Sequence, residues 1–351
     1  MDLQQKTIIE EMEDKYRDRN IPFAVIFELT YACNLSCKHC YVAVEHRKEL
    51  SAEKIKDVLN QLVEMGTFYI CFTGGELFAR SDCIEILHYA KNKGFFIVIL
   101  TNGTLITPQI ADALKEIKPR GMEISLLGAT VKTHDSITGV PGSFEKAVNA
   151  IKLLVDRGIH VITKTTLLKF NVHEYQQIKA LAKSLGVVPK ISSGVVRRVD
   201  GEAYPQEYQI TWNDRELFLH GELLEESFLT YFFEGSDAKY LTCKAGKLFA
   251  AINPYGDVNP CILLPVPLGN LNKKSFREIW YDQENEFLND LRSLKTGDLT
   301  QCSSCTMSSA CIRCTGAAYL ETNDLKAPFS AACEEARWRT YQLTKKITNT
   351  V

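Results

Sequence analysis

The chain contains no run of apolar residues long enough to span a bilayer as a helix, so a helical membrane protein is excluded. It has no excess of charge of either sign: 41 Lys and Arg stand against 43 Asp and Glu, a net charge of -2. That balance offers no basic surface to nucleic acid or an anionic membrane, and neither partner is expected. Residues Met1 to Asn20 are dense in charged side chains and hold no apolar signal core, so the expected location is the cytoplasm. No internal repeat or low-complexity segment interrupts the 351 residues, which suffice for one large domain or two ordinary ones. Apolar residues make up 45%, enough for a sizeable core.

What the chain has in abundance is cysteine, with 12 in all. A reducing cytosol disfavours disulfides, and a chain this long does not need them. Thiols at metal-ligand spacings are the better account. Cys33, Cys37 and Cys40 form one group; Cys243, Cys261, Cys302, Cys305, Cys311, Cys314 and Cys333 form another. Cys71 and Cys83 stand apart and read as ordinary buried core residues.

A charged helix is expected over residues 3–18, within an N-terminal unit of residues 1–20. From Phe23 onward strand and helix alternate. Ala24 to Phe27 reads as a buried strand, and Ser51 caps a helix carrying Ile55, Val58, Leu59, Leu62 and Val63 before Gly66 closes it. Further strands are expected at Phe68–Phe72, Phe95–Leu100, Met122–Leu127, Val161–Leu167 and Val187–Ile191. Helices fall at Ile84–Ala90, after Thr107-Pro108, after a capping Ser143, and after Asn171 and Glu174 in a capping-box-like arrangement. Six such alternations imply a parallel sheet covered by helices, and six units are too few for an eight-fold barrel. The expected fold is α/β, a partial (β/α)6 TIM-like barrel over residues 21–200. Residues 201–239 read as a linker with an aromatic-rich helix around Phe218 to Phe233, and residues 240–345 as a small cysteine-rich domain with a hairpin turning at Asn253-Pro254-Tyr255-Gly256.

The first cysteine group has the spacing C-x3-C-x2-C and directly follows the first strand. Three thiolates on one short loop can hold three irons of a 4Fe–4S cube and leave the fourth open to a substrate. A zinc site is the competing reading, but it wants four ligands, and His39 is wedged between two cysteines. Further motifs sit at strand ends in order: Thr73-Gly74-Gly75-Glu76, then Thr101-Asn102-Gly103, then Ser125 and Lys164. With these, residues 23 to 195 resemble the radical S-adenosylmethionine (SAM) superfamily. The resemblance implies that Cys33, Cys37 and Cys40 hold the SAM-cleaving cluster. It implies that Gly74, Gly75 and Glu76 bind the amino group of SAM, that Asn102 lies on the ribose side, and that Ser125 and Lys164 contact the ribose or the methionine carboxylate. An aromatic residue often precedes the third cysteine in that family; here it is His39, whose imidazole can pack over adenine.

The second group runs C-x12-G-x4-C, then Gly269-Asn270-Leu271, Ser275-Phe276 and Ile279-Trp280, then Cys302-x2-Cys305-x5-Cys311-x2-Cys314, then Cys333. As a whole it resembles the SPASM extension of the same superfamily, which implies two auxiliary 4Fe–4S clusters. By that pattern Cys302, Cys305, Cys311 and Cys333 ligate one, while Cys243, Cys261 and Cys314 ligate the other with one position unassigned. That position is an open iron, a side chain such as Asp257, or the mark of a smaller cluster. A pair of structural zinc sites is the alternative, although seven ligands serve two tetrahedral zincs poorly.

The resemblance implies reductive cleavage of SAM to methionine and a 5′-deoxyadenosyl radical that abstracts hydrogen from the substrate. A reduced flavodoxin or ferredoxin is the implied electron donor. The leading expectation for substrate is a ribosomally made precursor peptide, matured by a thioether or carbon–carbon crosslink or by oxidative decarboxylation. About twenty residues precede the barrel, so a separate peptide-recognition protein is expected. The alternatives are a small cofactor precursor such as a tetrapyrrole, anaerobic sulfatase maturation, or a non-catalytic zinc or electron-transfer module. Arg197-Arg198-Val199-Asp200-Gly201-Glu202 reads as a solvated turn.

Overall fold

A computed structural model describes residues 8–218 and 243–348. Helix α1 (Ile8–Asp18) precedes strand β1 (Ala24–Glu28), and the alternation then proceeds through α2 (Ala52–Met65), β2 (Tyr69–Thr73), α3 (Cys83–Asn92), β3 (Phe96–Thr101), α4 (Pro108–Ile117) and β4 (Gly121–Ser125). Two helices follow, α5 (Val131–Thr138) and α6 (Ser143–Val155), then β5 (Val161–Thr166), α7 (Tyr175–Ser184), β6 (Val188–Ser192) and α8 (Trp212–Phe218). The expected residues 3–7 of the first helix and the aromatic-rich helix beyond Phe218 lie outside the described residues.

All six expected strands form, and each pairs in parallel with the next in sequence. On β2, Ile70 and Phe72 are fully buried beneath the helices, while Tyr69, Cys71 and Thr73 alternate onto the barrel interior. Cys71 therefore departs from the core position expected of it, whereas Cys83 at the start of α3 is buried as expected. The caps at Ser51, Gly66 and Thr107-Pro108 are all present: Ser51 and Thr107 accept backbone N–H bonds, and Gly66 is left-handed at φ 86°.

Two expected caps are built differently. Asn171 and Glu174 make no capping box; a 3-10 turn that Asn171 precedes and Glu174 ends stands there instead, and each side chain is drawn off to another partner. The Glu174 carboxylate takes Ala129 N–H at 2.7 Å and the Thr130 and Thr133 hydroxyls, tying α7 to the start of α5, while the Asn171 amide donates to the Leu127 and Thr166 carbonyls. Ser143 is the first helical residue rather than the cap; Asp135, from α5, receives Gly142 N–H, Phe144 N–H and the Ser143 hydroxyl.

The cysteine-rich part contributes β7 (Phe249–Ile252), β8 (Asp257–Asn259), β9 (Gly269–Asn270), α9 (Phe276–Trp280), α10 (Glu286–Ser293), α11 (Thr315–Thr322) and α12 (Ser330–Thr348). The expected hairpin is β7–β8, and β7 also pairs in parallel with β1, Ala24 opposite Phe249 through Phe27 opposite Ile252. One nine-stranded sheet results, in the order β6-β5-β4-β3-β2-β1-β7-β8-β9. Its helix-covered face is a single apolar cluster that runs from Val25 on β1 to Trp280 and Leu288 in the C-terminal part. Helix α12 returns to the far side, where fully buried Trp338 packs with Tyr175, Ile178 and Ile191.

Candidate active site

The C-terminal ends of β1, β2 and β3 carry the first cysteine loop and the two motifs expected to serve it. Gly75 N–H donates to the Thr30 carbonyl at 2.7 Å, and Glu76 N–H to the Ala32 carbonyl at 2.9 Å. Gly74, at φ 143°, has no room for a Cβ against the Thr30 carbonyl oxygen, and a Cβ on Gly75 would stand 2.5 Å from that of Ala32. The two glycines are thus required by the close passage of the cysteine loop over the β2 turn. The loop's far side is pinned by Ser36 N–H and Lys38 N–H on the Thr138 and Ile137 carbonyls of α5. The Asn102 amide reaches Asn34 Oδ1 at 3.0 Å and Cys33 Sγ at 3.9 Å, so the third-strand motif meets the first cysteine.

Glu76 was expected to face a ligand ammonium. Its carboxylate is fully buried and accepts from the Thr101 hydroxyl at 2.8 Å, Asn102 N–H at 2.8 Å and Phe78 N–H at 3.1 Å. Burial pushes its pKa up against those bonds. In this arrangement the Glu76 side chain braces the ends of β2 and β3, and the Gly74-Gly75 backbone is what borders the loop.

Ser125 and Lys164 are opposite each other in the β4–β5 register. The Lys164 ammonium lies 3.4 Å from Glu123 Oε2, and Lys190 on β6 donates to Glu123 Oε1 at 2.8 Å. Burial opposes ionisation of Glu123, yet the two lysines hold its pKa below the ordinary carboxylate value. The Cys71 thiol, pushed up to about 12 by burial and by Glu123, shares this interior. Two ammoniums thus converge on one carboxylate in the barrel interior.

The ten cysteines expected to be ligands partition by mutual electrostatic influence into three sets. Cys37 feels Cys40 and Cys33; Cys261 feels Cys314 and Cys243; Cys311 feels Cys333, Cys302 and Cys305. The first is the set expected from its spacing, and the other two are the sets that the family resemblance implies. Burial pushes Cys37 and Cys261 up to about 12, and Cys311 and Cys314 up to about 11, so these thiols stay protonated until a metal displaces the proton. No three His, Cys, Asp or Glu side chains among the described residues converge on a single ion-sized point. His39, lowered to about 4 by burial, is neutral, and its Nδ1 has no partner among the described residues.

Asp257 is not free to complete the three-thiol set. Arg47 donates to it twice, at 2.6 and 3.0 Å, and Asn253 and Asn270 add bonds at 2.9 and 2.7 Å. Burial resists its ionisation, but these donors hold its pKa low. The Gly-Asn-Leu…Phe…Ile-Trp run is equally structural. A Cβ on Gly269 would press 2.8 Å from Ile279, Ser275 and Glu278 form a full capping box, and Trp280 Nε1 donates to the Asn20 carbonyl at 2.6 Å.

Two groups at the site carry weaker sequence signals. Glu28 ends β1 beside the loop, 3% exposed, with the Tyr31 and Tyr41 hydroxyls each donating to it at 2.9 Å. A carboxylate closing an otherwise apolar barrel strand is the signal that marks it. Glu123 and Lys190 had no motif around them. The Arg197–Glu202 turn also lies nearer the site than expected: Val199 N–H bonds the Tyr41 carbonyl, and Arg198 acts on Cys40.

Parallel strands under helices, with a three-cysteine loop over the first strand and two further thiol sets behind, define an iron–sulfur enzyme that works from the C-terminal mouth of its barrel. The chain belongs to the radical SAM superfamily, which matches residues 27–185, and it carries an iron–sulfur cluster-binding SPASM domain, matched over residues 243–306. It is 30% identical over 336 residues to the AdoMet-dependent heme synthase of Methanosarcina barkeri, spanning 87% of this chain and 94% of that protein. It is 31% identical over 320 residues to the mycofactocin maturase MftC of Mycolicibacterium smegmatis, spanning 87% and 80%. The fold matches Streptococcus suis SuiB bound to precursor peptide SuiA with a TM-score of 0.70 at 18% identity, covering 95% of this chain and 83% of that one. Iron–sulfur clusters and SAM are its cofactors. No described helix is long and apolar enough to cross a membrane.

Proposed function

We propose that the enzyme matures a ribosomally made precursor peptide. The observation that carries this reading is the 31% identity to a mycofactocin maturase across 87% of the chain, barrel and cysteine-rich part alike. Cys33, Cys37 and Cys40 would hold the SAM-binding cluster, and its bound iron–sulfur core would supply the electron that splits SAM into methionine and an adenosyl radical. The chain's own residues would place SAM. The Gly74-Gly75 backbone would receive the methionine end, Asn102 would sit between Cys33 and the ribose, and Lys164, opposite Ser125, would exchange Glu123 for the methionine carboxylate. One incoming carboxylate would meet the ammonium of Lys164 beside the ion pair that Glu123 makes with Lys190. Cys243, Cys261 and Cys314, with Cys302, Cys305, Cys311 and Cys333, would hold the auxiliary clusters. A reduced flavodoxin or ferredoxin would deliver electrons.

A second reading rests on a separate observation. The heme synthase match extends over 94% of that protein, which favours a tetrapyrrole-like small molecule. Anaerobically reconstituted enzyme, offered SAM, a reductant and either a peptide encoded beside its gene or a tetrapyrrole precursor, separates the two by which compound changes mass. A change in the tetrapyrrole alone refutes peptide maturation. Replacing Cys33, Cys37 and Cys40 with Ala must abolish 5′-deoxyadenosine formation while iron bound by the other seven cysteines persists; retained SAM cleavage would overturn the assignment of that loop.

A further inference from the structure

The turn that follows β3 and the cysteine loop that follows β1 are joined by a closed ring of three side chains. Thr104, 9% exposed, lies just past Asn102 and Gly103, and its backbone N–H donates to Asn102 Oδ1 at 2.8 Å. That bond fixes which end of the Asn102 amide is the oxygen, because a backbone N–H must meet an acceptor. The Asn102 NH2 group then faces the cysteine loop, where one N–H meets Asn34 Oδ1 at 3.0 Å. Asn34, its oxygen so committed, presents its own NH2 to Thr104 Oγ1 at 2.8 Å. The Thr104 hydroxyl, accepting there, gives its proton to Asn102 Oδ1 at 2.6 Å. Each member donates once and accepts once around the ring, so its bonds polarise one another in the same sense. Its base is fixed as well: Asn102 N–H is held by buried Glu76, and a Cβ on left-handed Gly103 (φ 77°) would stand 3.0 Å from Ile124. The second N–H of the Asn102 amide is left for Cys33 Sγ, 3.9 Å from Nδ2.

We infer that Asn34 and Thr104 are positioning residues that hold the Asn102 amide on Cys33, and that this amide raises the reduction potential of the cluster on the cysteine loop. The inference rests on the assignment of Cys33, Cys37 and Cys40 to that cluster. Hydrogen bonds to ligand sulfurs are among the influences that set the potential of an iron–sulfur cluster. Reduction adds negative charge to the cluster and its thiolates, and an N–H dipole at a sulfur favours the more negative form. Asn102 is half-buried, so a free amide would turn toward water. The ring removes that freedom, because rotating the amide away from Cys33 breaks its bonds to both Asn34 and Thr104. A less negative cluster is easier for a flavodoxin or ferredoxin to reduce. The ring therefore acts on electron entry, the step that precedes cleavage of SAM.

The test is a redox titration of the anaerobically reconstituted enzyme without SAM, followed by electron paramagnetic resonance. The signal that changes shape when SAM is then added identifies the cluster on the loop. Thr104→Val removes the hydroxyl at nearly constant volume and opens the ring. The midpoint of that cluster should move to more negative potential by about 28 mV or more, a threefold change in the reduced-to-oxidised ratio for one electron, with the auxiliary midpoints unmoved. Thr104→Ser keeps the hydroxyl and should keep the wild-type midpoint. Asn34→Ala, at an exposed position, opens the ring from the other side and should move the midpoint the same way; it carries the test if Thr104→Val does not load iron. The double variant should move it no further than the larger single shift, since the ring is broken once. An unmoved midpoint in either iron-loaded single variant, an equal shift in Thr104→Ser, fully additive shifts in the double variant, or an equal shift of every cluster overturns the inference. Replacing Cys33, Cys37 and Cys40 with Ala tests the underlying assignment separately: the SAM-responsive signal and about four irons per chain should be lost. A retained signal there would refute the ligand assignment whatever Thr104 does.

Discussion

Glu28 is a buried carboxylate whose pKa is lifted to about 7 by desolvation, with the Tyr31 and Tyr41 hydroxyls pulling the other way. An unfolded glutamate titrates at about 4.3, so the folded chain holds this proton more tightly than the unfolded one. The stabilisation linked to that proton is complete below the unfolded pKa and is lost as pH rises through the folded value. Between pH 6 and 8.5, shifts of this size remove about 1.4 kcal/mol from the wild type by the linkage relation. Glu28→Gln has no such titration and keeps partners for both tyrosine hydroxyls. For a chain of this length that difference moves the melting temperature by roughly 2 °C. Circular-dichroism melts of wild type and Glu28→Gln at one scan rate, at pH 6 and pH 8.5, measure it directly. The variant should gain on the wild type as the pH rises. A wild-type minus variant difference that is the same at both pH values would falsify the claim that Glu28 is lifted into the neutral range.

Glu76→Ala should cost about 3 kcal/mol or more of stability, because it strands Asn102 N–H, Phe78 N–H and the Thr101 hydroxyl in the interior. Glu76→Gln should cost less in the same urea titration; a stable Ala variant that has lost only SAM affinity would put the carboxylate on the ligand instead. Gly75→Ala sets a Cβ 2.5 Å from the Ala32 oxygen and should displace the cysteine loop. Its reconstituted form should bind about four fewer irons per chain, and full iron loading would refute that reading. Asp257→Asn should lower the melting temperature by loosening Arg47 while leaving iron content unchanged. Loss of iron in that variant would restore Asp257 as a ligand.

Local grammar was read most reliably where it is self-contained. Thr107-Pro108 starts a helix and Gly66 ends one because each acts within its own turn, and the six barrel strands follow from apolar runs of strand length. The three-cysteine loop was legible because ligand spacing is itself a short-range code, whereas the division of the other seven cysteines came with the family resemblance. The failures are tertiary. Asn171 and Glu174 fit a capping pattern, but stronger partners on the β4–α5 connection claim both side chains. Cys71 reads as core because alternation tells which residues share a face, not which face meets the helices. Asp257 looked like a spare ligand because its partner Arg47 is 210 positions away. Helix α5 went unread because it is short, and its job is to hold the cysteine loop rather than to cover the sheet.

The parallel pairing of β7 with β1 has a bearing on how the protein can be taken apart. Strand β1 is not an edge; its second row of backbone donors and acceptors belongs to Phe249–Ile252. A barrel cut free before residue 243 would present that row bare, next to the strand that leads into the cysteine loop, and unpaired edges of this kind invite intermolecular pairing. The two metal-binding halves therefore behave as a single β-sheet object. The hairpin that leads to Cys261 is thereby tied by backbone hydrogen bonds to the strand that leads to Cys33, as two components soldered to one board, and is not left to the sway of a tether.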